Sequence, residues 1–399
     1  MAPVGAFGAA IISCMFAQRT KWNLASNRLS EALARHRASG RPPIDLTVSN
    51  PTEAGFVYDG ESILDALRHP DVLKYHPDPQ GLPAARRAVA EYYSQRGAGV
   101  SIEDIVLTTS TSEAYSFVFR MLCDRGDEIL VPAPSYPLFD FLADIQDVKL
   151  LPYRLFYDHG WQIDFRALKD AITARSRAVI VVHPNNPTGH FLQPRDLQEL
   201  NAICSSRNMT LIADEVFLDF GLQEAPPFTC TSNRDALTFT MSGLSKICGL
   251  PQMKMAWLVA SGPAQPKAEA LARLDVIADT FLSVSAPIQL ATPALLKQQG
   301  NFQTQVKARV RENLADLDRL LRMQTTCSRL RVEGGWYAVL RIPATQADED
   351  CAIELLDGQS VYIHPGHFYN FPGEGYLVAS LIVPPPEFAE GIKRLLSMF

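Results

Sequence analysis

The chain has 399 residues, 47% hydrophobic and 20% charged, with a formal net charge of −6 and a pI near 5.8. That length suits one large domain and a smaller one, and the acidic balance argues against nucleic acid or an anionic membrane as a partner. The 7 cysteines are scattered singly, without a C-x-x-C pair or Cys/His spacing, which argues against a disulfide framework or metal site and for a reducing, cytoplasmic setting.

The opening run MAPVGAFGAAIISCMF has no basic residue ahead of its apolar stretch, and the first cations, Arg19 and Lys21, follow it. A secretory signal needs the opposite order and a bilayer span needs more length, so residues 1–18 read as an apolar N-terminal extension. Arg19 to Ala38 has helical spacing, with Leu24, Leu29 and Leu33 toward one face, and stops at Gly40-Arg41-Pro42-Pro43. Ile44 to Val48 alternates like a strand and ends at Asn50-Pro51-Thr52. The segment 19–45 is expected to pack with a smaller C-terminal domain.

From about residue 80 to 285, helical and extended patterns alternate. Leu82 to Tyr93 is helical, Ile105 to Thr108 a buried strand followed by a helix through Leu122, and Ile129 to Val131 a strand stopped by Pro132 and Pro134. Ala178 to Val182 and Leu211 to Ala213 are unbroken apolar runs, the pattern of parallel strands covered on both faces. Residues 46–290 are therefore expected to form a three-layer α/β domain with a mostly parallel sheet. Beyond it, an amphipathic stretch from Val306 to Met323 and strand-like runs at Trp336 to Ile342 and Gly375 to Val383 predict a smaller α+β domain over 291–399.

In open α/β sheets, ligands bind beyond the carboxyl ends of the strands, and four polar clusters fall there. Thr109-Ser110-Thr111-Ser112 opens a helix, where free N–H groups and the macrodipole favour an anion, although a plain Ser/Thr cap explains it equally. His183-Pro184-Asn185-Asn186-Pro187-Thr188-Gly189 is a fixed turn that can present an amide from Asn186 to a ring oxygen. Asp214-Glu215 follows a buried run; a carboxylate there needs a partner, either a nearby Arg or Lys or a protonated pyridine nitrogen. Lys246 lies in the Ser/Gly turn Ser242-Gly243-Leu244-Ser245-Lys246 between apolar runs, and burial would make its amine nucleophilic toward carbonyls.

Taken in order, Asn186-Pro187-Thr188-Gly189, Asp214-Glu215-Val216 and Ser245-Lys246 resemble the class I/II aminotransferase family among fold type I pyridoxal 5′-phosphate (PLP) enzymes, related to aspartate aminotransferase. The resemblance runs from about Asp45 to the C-terminus. It implies a Schiff base on Lys246, Asp214 on the pyridinium nitrogen, Asn186 on the ring oxygen and Tyr136 on the ring face. Ser110, Thr111, Ser112, Ser245 and Ser242 would hold the phosphate, Lys254 would stand where the family usually has an arginine, and Tyr75 would reach in from the neighbouring subunit of a homodimer with composite sites.

Two further positions depart from the family's pattern. Phe217 replaces a tyrosine whose hydroxyl meets the ring oxygen, and Val378 replaces the arginine that forks the substrate carboxylate. Either another group binds that carboxylate, with Asn50, Arg19, Arg154 and Arg341 as the candidates, or the substrate lacks one there. The resemblance implies ping-pong transfer from an amino donor to a keto acid, with a lyase or decarboxylase on the same scaffold as the alternative. A regulator carrying a DNA-binding helix-turn-helix is disfavoured, because the segment ahead of Ile44 is too short.

Overall fold

The computed structural model describes residues 15–224 and 226–399, so the opening apolar run over 1–14 lies outside the described residues. Its strands are β1 (Ile44–Asp45), β2 (Ile105–Thr108), β3 (Glu128–Ala133), β4 (Lys149–Tyr157), β5 (Trp161–Ile163), β6 (Ser176–Val182), β7 (Thr210–Asp214), β8 (Thr238–Gly243) and β9 (Ala256–Ser261). The C-terminal part adds β10 (Ser328–Arg329), β11 (Tyr337–Arg341), β12 (Val361–Tyr362), β13 (His364–Pro365) and β14 (Tyr376–Ser380).

Eight strands form the large sheet in the order β2-β9-β8-β7-β6-β3-β4-β5. Strands β8, β7, β6, β3 and β4 pair in parallel, while β9 runs antiparallel between β8 and β2, and β5 antiparallel on β4. Every residue of β2, β7, β8 and β9 is buried, as unbroken apolar runs demand when helices cover both faces. The chain leaves β3 toward β4 on one side and returns to β6 on the other, so the winding reverses between β3 and β6. A second sheet, β10-β11-β14-β13, is antiparallel throughout.

The helix expected over 19–38 begins only at Arg28, where the Asn27 side chain accepts the Ser30 N–H and caps it. Ahead of that cap, Trp22 donates to Asp144 and Arg19 pairs with Asp147, which pulls the chain into an extended path and leaves Leu24 exposed. The strand expected over 44–48 stops after Asp45, because Thr47 folds its N–H and hydroxyl back onto the Asp45 carboxylate at 2.8 and 2.6 Å. Leu29, Ala32, Leu46, Ala54 and Phe56 belong to the core under the small sheet, and β1 pairs in parallel with β12. The helix Ala286–Lys297 instead lies on the helix Pro83–Ser94 against the large sheet.

Candidate active site

Sheet register places the four clusters at one edge. Thr108 and Gly243 are both level with Ala256 of the intervening β9, so the turns leaving β2 and β8 stand two strand spacings apart, about 10 Å. Asp214, the last residue of β7, is level with Val182 of β6 and Met241 of β8, and its carbonyl accepts the His183 N–H at 2.8 Å. Tyr136 follows the carboxyl end of β3 and Asn186 that of β6, so the two flank the point where the winding reverses. Gly243 is required by the closeness of β9: a Cβ there would lie 2.8 Å from that of Ala256.

Lys246 sits in the short helix Leu244–Ile247, its Nζ 4.8 Å from the Trp336 ring centroid and 5.5 Å from that of Phe217. Burial among these rings lowers its pKa to about 8, against the opposing pull of the Asp214 charge. Asp214 is 9% exposed, and burial pushes its carboxyl up to about 6. The Val216 N–H at 3.1 Å and the Tyr115 hydroxyl at 3.0 Å hold it from rising further, with Lys246 adding to them. Among the described residues its carboxylate makes no ion pair with an arginine, and the lysine that acts on it is Lys246 itself.

Thr111–Leu122 is a full helix with Ser110 as its cap, accepting the Glu113 N–H, while Glu113 accepts the Thr109 N–H in return. The cap reading of Ser110 is thus present, and the first-turn N–H groups of Thr111 and Ser112 still point out of the helix toward the strand ends. In the turn after β6, Asn185 and Asn186 each bury a side-chain oxygen without a hydrogen-bond partner, as Ser135 does with its hydroxyl. Buried polar atoms left this way are costly in the absence of a ligand that meets them. Gly189 holds the turn at φ +70°, and a Cβ would meet the Gly334 carbonyl at 2.6 Å. The Gly189 carbonyl accepts the Gly334 N–H at 2.9 Å, which ties this turn to the segment that delivers Trp336. An acid-bearing strand end, an amine near it and an open helix N-terminus together suit an anionic, aromatic, aldehyde-bearing group.

The other expected residues fall in different settings. Tyr136 is 44% exposed; partial burial of its hydroxyl raises its pKa, and the nearby Asp214 charge adds to that. Ser245 is half-buried beside Lys246. Ser242 turns inward instead, its hydroxyl donating to the Glu215 carbonyl at 3.4 Å. Lys254 is exposed in the left-handed conformation, at φ 50°, and Tyr75 is 75% exposed on a loop after the turn Pro70–Leu73. The Asn50 carboxamide oxygen is taken by the Thr52 N–H and hydroxyl. Arg19 pairs with Asp147 just ahead of the start of β4, at the sheet edge opposite Lys246, and so does not reach the site. Arg154 is exposed on β4, level with Ala133. Arg341 is exposed at the end of β11, over the Tyr376 ring. The sequence reading passed over Tyr115 and the ring cage of Trp336 and Tyr337. Tyr115 lies one helical turn beyond Thr111, a spacing that could have flagged it.

This scaffold, with a lysine facing an aspartate across the carboxyl edge of a mostly parallel sheet, defines the aspartate aminotransferase-like class. An aspartate aminotransferase mutant from Thermus thermophilus superposes with TM-score 0.84 at 21% identity, covering 96% of this chain and 99% of that one. Alanine aminotransferase from Pyrococcus furiosus gives TM-score 0.85 at 24% identity, covering 93% and 95%. The chain belongs to the family described as aminotransferase class I and II, matched over residues 42–382. Glutamate-pyruvate aminotransferase AlaA of Haemophilus influenzae is 27% identical over 359 residues, 86% of each chain. Alanine aminotransferase of Mycobacterium tuberculosis is 26% identical over 371 residues, 91% of this chain and 86% of its own. These relatives decide for an aminotransferase against the lyase or decarboxylase alternative.

Proposed function

We propose that this aminotransferase works through PLP held covalently on Lys246, moving an amino group from a donor to a keto acid in two half-reactions. The observation that carries the reading is the buried Lys246 amine, its pKa brought down to about 8, set at one strand edge with the Asp214 carboxylate. When bound, PLP supplies an electron sink for the substrate carbon that loses its proton. Lys246 would hold the cofactor through its Nζ, the atom that can also carry the proton at that carbon. Asp214 holds a proton on the ring nitrogen, and Tyr115 keeps that carboxylate ionised and aimed. Asn186 offers its amide to the ring oxygen, and Ser110, Thr111, Ser112 and Ser245 surround the phosphate, with the helix N-terminus contributing its partial charge. Trp336 and Phe217 keep water away from the amine.

The exposed Tyr75 supports a homodimer in which this ring completes the partner's site. The core memberships described above support a division near Gln298, later than residue 290, with residues 28–56 counted in the smaller body. We also place the protein in the cytoplasm. Its 7 cysteines are unclustered, and among the described residues no helix is long and apolar enough to cross a membrane. Among those residues, too, no group of three or more His, Cys, Asp or Glu gathers to hold a metal. The test is a half-reaction: an amino donor alone abolishes the visible absorbance of the lysine-bound cofactor, and a keto acid restores it. Turnover of the donor with that band unchanged, as a lyase gives, refutes the reading.

A further inference from the structure

Beside Lys246 lies a wall of aromatic hydroxyls that, among the described residues, holds no cation. Tyr337 stands edge-on to Phe217, 6.3 Å between ring centroids, and Phe217 is itself 5.5 Å from the Lys246 Nζ. Along β11 and β14, Tyr337 is level with Ser380, and Val339 with Val378; His364 of β13 is level with Val378 on its other side. Paired residues and residues two apart share a sheet face, so Tyr337, Val339, Val378, Ser380 and His364 look the same way. Tyr369 joins them: its hydroxyl is 3.1 Å from His364 Nδ1, and its carbonyl accepts the Ser135 N–H at 2.9 Å, next to Tyr136. Burial raises the pKa of both Tyr337 and Tyr369; the Tyr136 hydroxyl lies near enough to add to each, and that of Tyr337 to add to Tyr369, while Ser49 lies beside Tyr337.

This wall is uncharged. Val378 is 1% exposed in the core. Burial lowers the His364 pKa against the pull of Asp45, so its imidazole is neutral at pH 7. The small sheet's arginines are engaged or distant: Arg329 pairs with Asp318, and Arg341 is four residues, about 13 Å, along β11 from Tyr337. Arg309 lies over the Phe56 ring and turns its Nη1 to the carbonyls of Ala54 and Ile382. A carboxylate pressed against such a wall would lose its water without gaining a counter-charge, whereas a hydroxyl or amide would find donors and acceptors of matching strength.

We propose that Tyr337, Tyr369 and the His364 that orients it recognise the substituent next to the reacting amine, and that the preferred donor carries there an uncharged hydrogen-bonding group rather than a carboxylate. The donor class is thus an amino alcohol or amino amide. This rests on the transamination reading and narrows its donor half-reaction to a substrate class; the keto acid of the second half-reaction meets the same uncharged wall and is expected to bind as weakly as alanine does.

The test compares alanine, alaninol and alaninamide with the holoenzyme, at equal concentrations of unprotonated amine, by loss of the visible band and by Kd. The neutral pair should be favoured about tenfold or more over alanine. Tyr369→Phe should narrow the ratio of alaninol to isopropylamine, which lacks the hydroxyl, and Val378→Arg should turn the preference toward alanine. Should Val378→Arg fail to fold, the wild-type ranking and Tyr369→Phe still decide. A wild-type enzyme that prefers alanine, or treats the three alike, overturns the inference. Reaction with none of them, while borohydride still fixes cofactor on Lys246, overturns it too and leaves the Lys246 reading intact; no fixation at Lys246 sinks that reading itself.

Discussion

Removing the Tyr115 hydroxyl tests how the site keeps Asp214 ionised. Tyr115→Phe keeps the ring, which packs edge-on against Phe139 and Phe119 with centroids 5.3 and 5.9 Å away, and deletes one donor 3.0 Å from the Asp214 carboxylate. A hydrogen bond to a charged group is worth about 1.5–3 kcal/mol, or roughly 1–2 pH units at 1.36 kcal/mol per unit. The donor favours the ionised form, so its loss moves the Asp214 pKa upward from about 6, into the range of roughly 7–8. Only the carboxylate pairs with a protonated ring nitrogen, so the variant binds PLP more weakly wherever Asp214 is protonated in it but ionised in the wild type. With a shift of about 1.5 units, the ratio of dissociation constants is about fifteenfold at pH 6, about fourfold at pH 7 and close to one by pH 9. Titrating both apoproteins with PLP across that range, by quenching of tryptophan fluorescence, reads the ratio directly, and protonation of the cofactor itself cancels from it. A thermal melt of each apoprotein checks that the fold is kept. An unchanged ratio, or one independent of pH, refutes the reasoning.

Other outcomes follow from the same geometry. Apoprotein should react with PLP at a rate that rises with pH through a midpoint near 8, where half of the Lys246 amine is unprotonated; a midpoint near the ordinary lysine value of about 10.4 contradicts its burial. Phe217→Tyr should restore a donor to the ring oxygen and lower the pH midpoint of the visible band by roughly 1–2 units, and an unmoved midpoint removes this position from cofactor tuning. Gly189→Ala puts a Cβ 2.6 Å from the Gly334 carbonyl at a φ of +70°, and should cost about 1–3 kcal/mol in urea unfolding while loosening Trp336 over the amine. Equal urea midpoints would show that the turn relaxes freely.

Much of the scaffold was legible because burial writes itself into composition. Ala178 to Val182 and Leu211 to Ala213 read as strands covered on both faces, and they are the centre of the large sheet. The ordered motifs around Asn186, Asp214 and Lys246 likewise fall at one edge of that sheet. What stayed hidden depends on contacts far apart in sequence. Nothing local says that Arg19 will be drawn to Asp147, or that Leu24 will be left in solvent by that path. The antiparallel β9 between β2 and β8 has the same apolar character as its parallel neighbours, so its direction cannot be read from pattern. Tyr115, Trp336 and Tyr369 are aromatic residues in apolar surroundings, which read as ordinary core until the fold sets their polar ends or ring faces against Asp214, Lys246 and His364.

The measurement that bears most directly on the account is borohydride reduction of the PLP-saturated protein followed by peptide mapping. Fixation of the cofactor on the Lys246 Nζ, lost in Lys246→Ala while the variant still folds, is the predicted result. Cofactor fixed on another lysine, such as the exposed Lys254, or on none, contradicts it.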